Sequence, residues 1–213
     1  MIKTLIVSGG TVEENILANF KNEFNCIIAS DKGLEALDRY NITPNYIIGD
    51  FDSIDKKILD KYINDKNIVI KSLNPEKDYT DTHMALKLAI ELKSTNITII
   101  GAIGTRLDHT IANIHILKET LDKNIECRII NSRNEIQLIN KKTILELDDD
   151  YKYISLIPFT TKVKGVTLKG FKYLLEDATL QIGHSIGVSN EQIEDYAEVD
   201  LKKGILILIK SKD

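Results

Sequence analysis

The hydrophobic pattern of this chain changes near residue 132, and that change constrains the fold more than any other feature. Before it, short β-rich runs alternate with longer stretches of helical spacing, whereas after it only short β-like runs occur. Alternation of strand and helix predicts a parallel sheet covered on both faces. Successive short strands separated by turns predict an antiparallel sandwich or barrel. We therefore predict an α/β part followed by an all-β part.

The predicted domains are a Rossmann-like parallel sheet with flanking helices at 1–132 and an antiparallel β-sandwich at 133–213. The candidate strands of the first are 4–7, 26–29, 46–48, 68–70, 97–100 and 127–130, and those of the second are 136–139, 143–147, 153–157, 162–168, 178–182, 197–201 and 205–209. Apolar residues recur at helical spacing after Thr80 and again after Asp108.

Charge and hydropathy exclude several classes of function. A net charge of -4 gives the chain no general attraction for nucleic acid or for an anionic membrane. The apolar run near the N-terminus is too short for a signal sequence, and no later run approaches membrane-spanning length, so we expect a cytoplasmic protein. Cys26 and Cys127 each lie in an apolar strand-like run and are interpreted as buried thiols.

Two aspartates, Asp50 and Asp52, follow an apolar strand that stops at Gly49. Ligands bind at the carboxyl ends of strands in parallel sheets, and Mg²⁺ usually takes one or two protein carboxylates beside phosphate oxygens. The pair therefore suits a nucleotide-bound cation. An equally acceptable interpretation is that the acidic pair only caps a helix beginning near Ile54 or Asp55.

A second acidic motif contains Asp78, Thr80 and Asp81 and precedes a predicted helix. Thr80 or Asp78 could cap that helix, and Asp81 in its first turn would be favoured by the helix dipole. If adjacent strands bring Asp81 beside the first pair, three carboxylates would repel one another unless a cation lay between them.

A glycine-bearing loop follows the strand at 97–100 and carries Arg106, Asp108 and His109 into a helix. Glycines allow backbone amides to approach phosphate, and the arginine fork matches phosphate oxygens. Alternatively, Arg106 forms a surface salt bridge, Asp108 caps the helix and His109 is a surface residue. Similar strand-then-glycine patterns occur at 8–10 and 30–33, so several loops should converge on one edge of the sheet.

In the β-rich part, the polar loop 183–190 and the aromatic segment 170–173 could orient a small heterocycle, or could be ordinary turns and core aromatics. His83, His115 and His184 lack short-spaced partners and are interpreted as structural rather than as zinc ligands.

Taken in order, GDFDS, EKDYTD, GAIGTRLDHTIAN and GHSIGVSNE resemble the motif series of the thiamine pyrophosphokinase family over nearly the whole chain. The resemblance implies an α/β ATP-binding domain followed by a β-sandwich domain that binds thiamine. It implies Mg²⁺-dependent transfer of pyrophosphate from ATP to the hydroxyethyl oxygen of thiamine, giving thiamine diphosphate and AMP. It also implies a homodimer with active sites at the subunit interface.

Residue by residue, the resemblance implies Mg²⁺ binding by Asp50, Asp52 and Asp81 and a nucleotide and transfer site shaped by Asp31, Asp78, Arg106, Asp108, His109 and Asn113. On the thiamine side it implies Tyr173, Ser185, Ser189 and Asn190. Asp78 could accept the proton of the attacking hydroxyl. Two departures from the family are Thr105, where a second glycine is common, and Tyr173, where eukaryotic members carry a tryptophan.

Three other functions fit parts of the pattern. One is a pyrophosphokinase for another heterocyclic alcohol, such as a hydroxymethylpterin, and another is a thiamine-binding module without turnover. A glycosyltransferase that uses an Asp-x-Asp motif to hold a metal and a nucleotide diphosphate is the third. The serine and asparagine of the loop at 183–190 favour thiamine over the first, and the intact acidic set argues against the second.

Overall fold

The computed structural model describes residues 1–20, 23–73 and 78–213, and these form two compact units, Met1–Ser132 and Arg133–Asp213. Part of the EKDYTD motif, Glu76 and Lys77, lies outside the described residues. No helix in the described ranges is long and apolar enough to cross a membrane.

The first unit alternates strands and helices as predicted. Its strands are β1 Lys3–Val7, β2 Cys26–Ser30, β3 Tyr46–Gly49, β4 Val69–Ser72, β5 Asn96–Ile100 and β6 Glu126–Ile130. Its helices are α1 Glu14–Phe20, α2 Gly33–Arg39, α3 Lys56–Tyr62, α4 Asp81–Glu91 and α5 Leu107–Asp122. The strands are parallel and lie in the order β4-β3-β2-β1-β5-β6.

Both faces of this sheet are buried, which explains why its strands are runs of Ile, Val and Leu rather than alternating patterns. Leu5 and Val7 pack on one face in a cluster with apolar residues of α1 and α2, whereas Ile6 between them must point to the other face. Helix α4 contacts β1, β2 and β3 and buries Leu86 completely. Helices on both faces follow from this pattern, as predicted.

The second unit is antiparallel and contains no α-helix in the residues described. Its strands are β7 Asn134–Ile139, β8 Thr143–Glu146, β9 Tyr153–Pro158, β10 Lys162–Lys169, β11 Ala178–Gln181, β12 Tyr196–Asp200 and β13 Leu206–Ser211. Strand β13 pairs with β7 and β9, while the other four form a sheet in the order β11-β10-β12-β8. Leu156, Leu208, Val163, Val199 and the fully buried Phe171 share one core.

Candidate active site

A polar cavity of about 310 Å³ lies in the first unit at the carboxyl ends of its parallel strands. Its walls include the loop after β1, the end of β2, the first turn of α4 and the loop after β5. The strand order reverses between β1 and β5, and ligands of open parallel sheets bind at such reversals. The chain topology, rather than any single motif, therefore places the cavity.

The loops after β1 and β5 approach each other so closely that only glycine fits. Gly10 N donates to Gly101 O at 2.9 Å, and a Cβ on Gly10 would lie 2.4 Å from that oxygen. Gly101 itself has a φ of 68°, a conformation that glycine adopts without cost. Both loops thus bring backbone close to the cavity, as phosphate-binding loops do.

Five of the predicted residues line this cavity: Asp31, Asp81, Arg106, His109 and Asn113. Sequence reasoning had no specific role for three further lining residues, Ser8, Thr82 and Ser30. Thr82 Oγ1 donates to the buried Ser8 Oγ at 3.0 Å and so ties the first turn of α4 to the end of β1. Only their position beside glycine and aspartate motifs could have indicated them.

Asp31 directly follows β2 and adopts a left-handed conformation, with a φ of 49°. Its backbone is held by hydrogen bonds from Asp31 N to Ile48 O and from Leu34 N to Asp31 O, at 2.9 and 3.0 Å. Ser53 donates a hydrogen bond to Asp31 Oδ2. Within the described residues, Asp31 Oδ1 is buried and has no hydrogen-bond partner. A buried, unpaired carboxylate oxygen is costly unless a ligand or cation completes it.

Asp50 and Asp52 lie in the loop after β3 and do not line the cavity. The loop adjoins it through Ser53, which bonds to Asp31. Asp50 Oδ1 accepts a hydrogen bond from Asp52 N at 3.2 Å. The interpretation that this pair caps the next helix is wrong, because Asp55 is the N-cap of α3 and accepts from Lys57 N at 2.8 Å.

The oxygen donors around the cavity fit Mg²⁺ in kind. The carboxylates of Asp31 and Asp81 both line the cavity, and Asp31 Oδ1 has no hydrogen-bond partner among the described residues. In the ranges that the structure describes, no group of three or more His, Cys, Asp or Glu residues is placed to hold a metal ion, so Asp50, Asp52 and Asp81 do not form a preassembled cluster. Mg²⁺ commonly needs only one or two carboxylates, with phosphate oxygens and water completing its shell. Binding by these three aspartates stays a prediction.

Arg106 and Asp108 form a bidentate salt bridge, with Nε to Oδ1 at 3.2 Å and Nη2 to Oδ2 at 2.6 Å. Their side chains are 69% and 63% exposed. The pKa of Asp108 is lowered to about 2, mainly by the hydrogen bond from the Arg106 guanidinium and to a smaller extent by the hydrogen bond from the backbone N–H of His109. Arg106 Nη1 is not part of the bridge, so its two hydrogens can face a phosphate. The N-cap of α5 is Arg106, and Asp108 lies in the first turn of the helix. The interpretation that Asp108 caps this helix is wrong.

Asn113 is buried, and its amide donates to Ala102 O at 2.8 Å, which fixes the glycine loop after β5. Thr80 is the N-cap of α4, accepting from His83 N, so one of the two predicted caps is confirmed. Asp78 is exposed and is not in the cavity lining. Its role as a proton acceptor stays a prediction.

The predicted thiamine-side residues lie together in the second unit. Asn190 is buried, and its amide accepts from Tyr173 N and donates to Tyr173 O, at 3.0 and 2.7 Å. Tyr173 itself is 60% exposed, and Ser185 and Ser189 are exposed. Asn190 thus positions the tyrosine, while the ring and the two hydroxyls remain accessible.

These features define an α/β protein whose polar cavity occupies the ligand-binding edge of a parallel sheet. The family model for the thiamin pyrophosphokinase catalytic domain matches residues 17–129, and the model for the thiamin pyrophosphokinase vitamin B1 binding domain matches residues 141–206. The chain belongs to the thiamin pyrophosphokinase family.

Individual relatives agree with this assignment. Thiamine pyrophosphokinase from Bacillus subtilis (strain 168) is 36% identical over 217 residues, which cover all of both chains. Thiamin pyrophosphokinase 1 from Caenorhabditis elegans is 30% identical over 85% of this chain and 77% of its own. The crystal structure of the Bacillus subtilis protein superposes with a TM-score of 0.92 over 99% of each chain, at 34% identity.

Proposed function

We propose that this protein is a thiamine pyrophosphokinase that transfers the pyrophosphoryl group of ATP to the hydroxyethyl oxygen of thiamine and releases AMP. The observation that carries the proposal is that family models of both the catalytic and the vitamin-binding domain match, in order, one chain whose first unit contains the cavity described above. We assign ATP and Mg²⁺ to a Rossmann-like domain at 1–132 and thiamine to a β-sandwich at 133–213.

In this mechanism the protein positions the reactants and neutralises charge. The glycine loops 8–10 and 101–104 would let phosphate oxygens approach the backbone closely, and Arg106 would add a positive charge through Nη1. Asp50, Asp52 and Asp81 would hold Mg²⁺, whose charge would offset the negative charge of the transferred phosphates. The hydroxyethyl oxygen would attack the β-phosphorus, and the bond from the β-phosphorus to the oxygen shared with the α-phosphorus would break.

The remaining predicted residues have supporting roles in this proposal. Asp31, Asp108, His109 and Asn113 would shape the nucleotide site, and Asp78 would accept the hydroxyl proton. Tyr173 would pack on thiamine, with Ser185 and Ser189 as polar contacts and Asn190 holding the tyrosine loop. We also propose a cytoplasmic homodimer with active sites at the subunit interface. A solution mass equal to the 24.1 kDa of one chain would contradict the dimer.

A panel of acceptor alcohols tests the proposal. With ATP and Mg²⁺ present, thiamine should support AMP formation, whereas a hydroxymethylpterin should not. AMP formation with the pterin and not with thiamine would favour the alternative pyrophosphokinase. Binding of ATP and thiamine without AMP formation would indicate a module that has lost turnover.

A further inference from the structure

Ser53 is the last residue of the GDFDS motif and has no role in the mechanism above. Its hydroxyl donates to Asp31 Oδ2 at 2.5 Å and so links the loop that carries Asp50 and Asp52 to the cavity wall. The two carboxylate oxygens of Asp31 differ in hydrogen bonding. Oδ2 accepts from Ser53, whereas Oδ1 is buried and has no partner among the described residues.

The backbone of Asp31 is held by two hydrogen bonds. Its N–H donates to Ile48 O at 2.9 Å, and its carbonyl oxygen accepts from Leu34 N at 3.0 Å. Rotation of the side chain is the remaining freedom, and among the described residues Ser53 is the side chain that restrains it. A carboxylate held at one oxygen presents the other in a defined direction.

A hydrogen-bond donor or a cation could complete the unpaired oxygen of Asp31, and the charges around the cavity favour a cation. Asp81 lines the same cavity, and a nucleotide would bring phosphates to the same glycine loops. Two carboxylates and a phosphate chain repel one another unless a cation lies between them. Groups that orient a ligand by hydrogen bonding commonly change metal affinity 10- to 100-fold when removed.

We propose that Ser53 is a positioning residue that holds Asp31 Oδ2, so that Oδ1 faces the cation accompanying the nucleotide. This inference rests on the proposed function for the identity of the nucleotide site. It adds a residue that touches neither substrate nor metal and acts only through Asp31.

The test measures Mn²⁺ binding by electron paramagnetic resonance in the presence of α,β-methylene-ATP, in which the bond to be broken is replaced. We expect Ser53→Ala to weaken Mn²⁺ binding about tenfold. Ser53→Thr, which keeps a hydroxyl, should bind Mn²⁺ within about twofold of the unmodified protein. Ser132→Ala is the matched control, because Ser132 donates a similar hydrogen bond to Glu13 at 2.7 Å outside the cavity.

A double-mutant cycle separates positioning from general structure. In an Asp31→Asn background, Ser53→Ala should cause no further loss of Mn²⁺ affinity, because its effect passes through the missing carboxylate. The inference is overturned if Ser53→Ala binds Mn²⁺ as the unmodified protein does, if Ser132→Ala loses as much, or if the losses add. Normal Mn²⁺ binding without thiamine diphosphate formation would reject the proposed function and leave this inference standing.

Discussion

Asp50 and Asp55 belong to one loop but have different partners, which allows a function in metal binding to be separated from helix capping. Asp55 caps α3, so Asp55→Ala should lower the free energy of unfolding by about 1 kcal/mol and leave kcat/KM unchanged. Asp50→Asn keeps an oxygen for Asp52 N but removes the charge, so kcat/KM should fall about 100-fold or more. Denaturant unfolding and steady-state kinetics of both variants measure this, and the reverse pattern would contradict the assignment.

The salt bridge between Arg106 and Asp108 predicts a pH effect. Because the guanidinium holds the pKa of Asp108 at about 2, below its ordinary 3.8, the ionised carboxylate stabilises the folded protein above pH 3.8. That contribution is lost as the pH falls from 3.8 towards 2. In Arg106→Gln the pKa of Asp108 should rise towards 3.8, as followed by carboxyl ¹³C NMR. An unchanged pKa would show that another group controls Asp108.

Sequence patterns predicted which residues follow the strands, but they did not predict which hydrogen bonds those residues make. The run from Ile47 to Gly49 followed by aspartates predicted a polar site at a strand end, and the cavity is next to that loop. Asp55, rather than Asp50 or Asp52, caps α3 because the helix begins at Lys56, and the hydrophobic spacing does not fix that boundary. The bond from Ser53 to Asp31 joins separate loops and leaves no local signal in the sequence.

Gly104 lies in the loop after β5 and lines the cavity. A Cβ on Gly104 would meet nothing within 4 Å, so Gly104→Ala should retain full stability while its methyl group narrows the cavity. We expect the KM for ATP to rise about tenfold, equivalent to about 1.4 kcal/mol of binding free energy, because the methyl group would hold phosphate away from the loop. Gly10→Ala is the comparison, because its Cβ would lie 2.4 Å from Gly101 O and should cost about 2 kcal/mol of stability or more. An unaltered KM in Gly104→Ala would mean that phosphate does not approach this loop.

Helices α4 and α5 are connected by His83 Nε2 and Glu119 Oε1 at 2.7 Å, close to the turn that carries Asp81. His83 is largely buried, so Glu119→Ala should lower the free energy of unfolding by about 1 kcal/mol. Asp122→Ala removes the exposed pair with Lys118 on the same helix and should cost only a few tenths of a kcal/mol. Thermal unfolding compares the two variants. Equal losses would show that the contact between helices contributes no more than a surface pair.

The period of the hydrophobic pattern predicted which segments are helices and which are strands. It did not predict where some of the strands end. Strand β4 was predicted at 68–70 but spans Val69–Ser72, because Lys71 and Ser72 continue the pairing with Ile48 and Gly49 through backbone groups alone. Polar residues extend β13 in the same way, where Lys210 and Ser211 pair with Glu135 and Asn134. The order of the strands in the sheet could not be predicted from the hydrophobic period. That order depends on the side of β1 on which each connection places the next strand.

For the molecule as a whole, the switch from alternating elements to strands alone predicted a parallel sheet with helices followed by antiparallel sheets, and the structure confirms both. The reaction could not be predicted from this architecture, because one fold hosts many activities. It rests instead on the motif series and on family models that match both halves of the chain. A test of the function must therefore identify the products of the reaction.

The most direct test is ³¹P NMR of the complete reaction, with the protein, thiamine, ATP and Mg²⁺. Attack at the β-phosphorus predicts thiamine diphosphate and AMP in equal amounts, because the β- and γ-phosphates transfer together. Omitting thiamine should abolish AMP formation. Appearance of ADP and thiamine monophosphate instead would show attack at the γ-phosphorus and contradict the proposed pyrophosphoryl transfer.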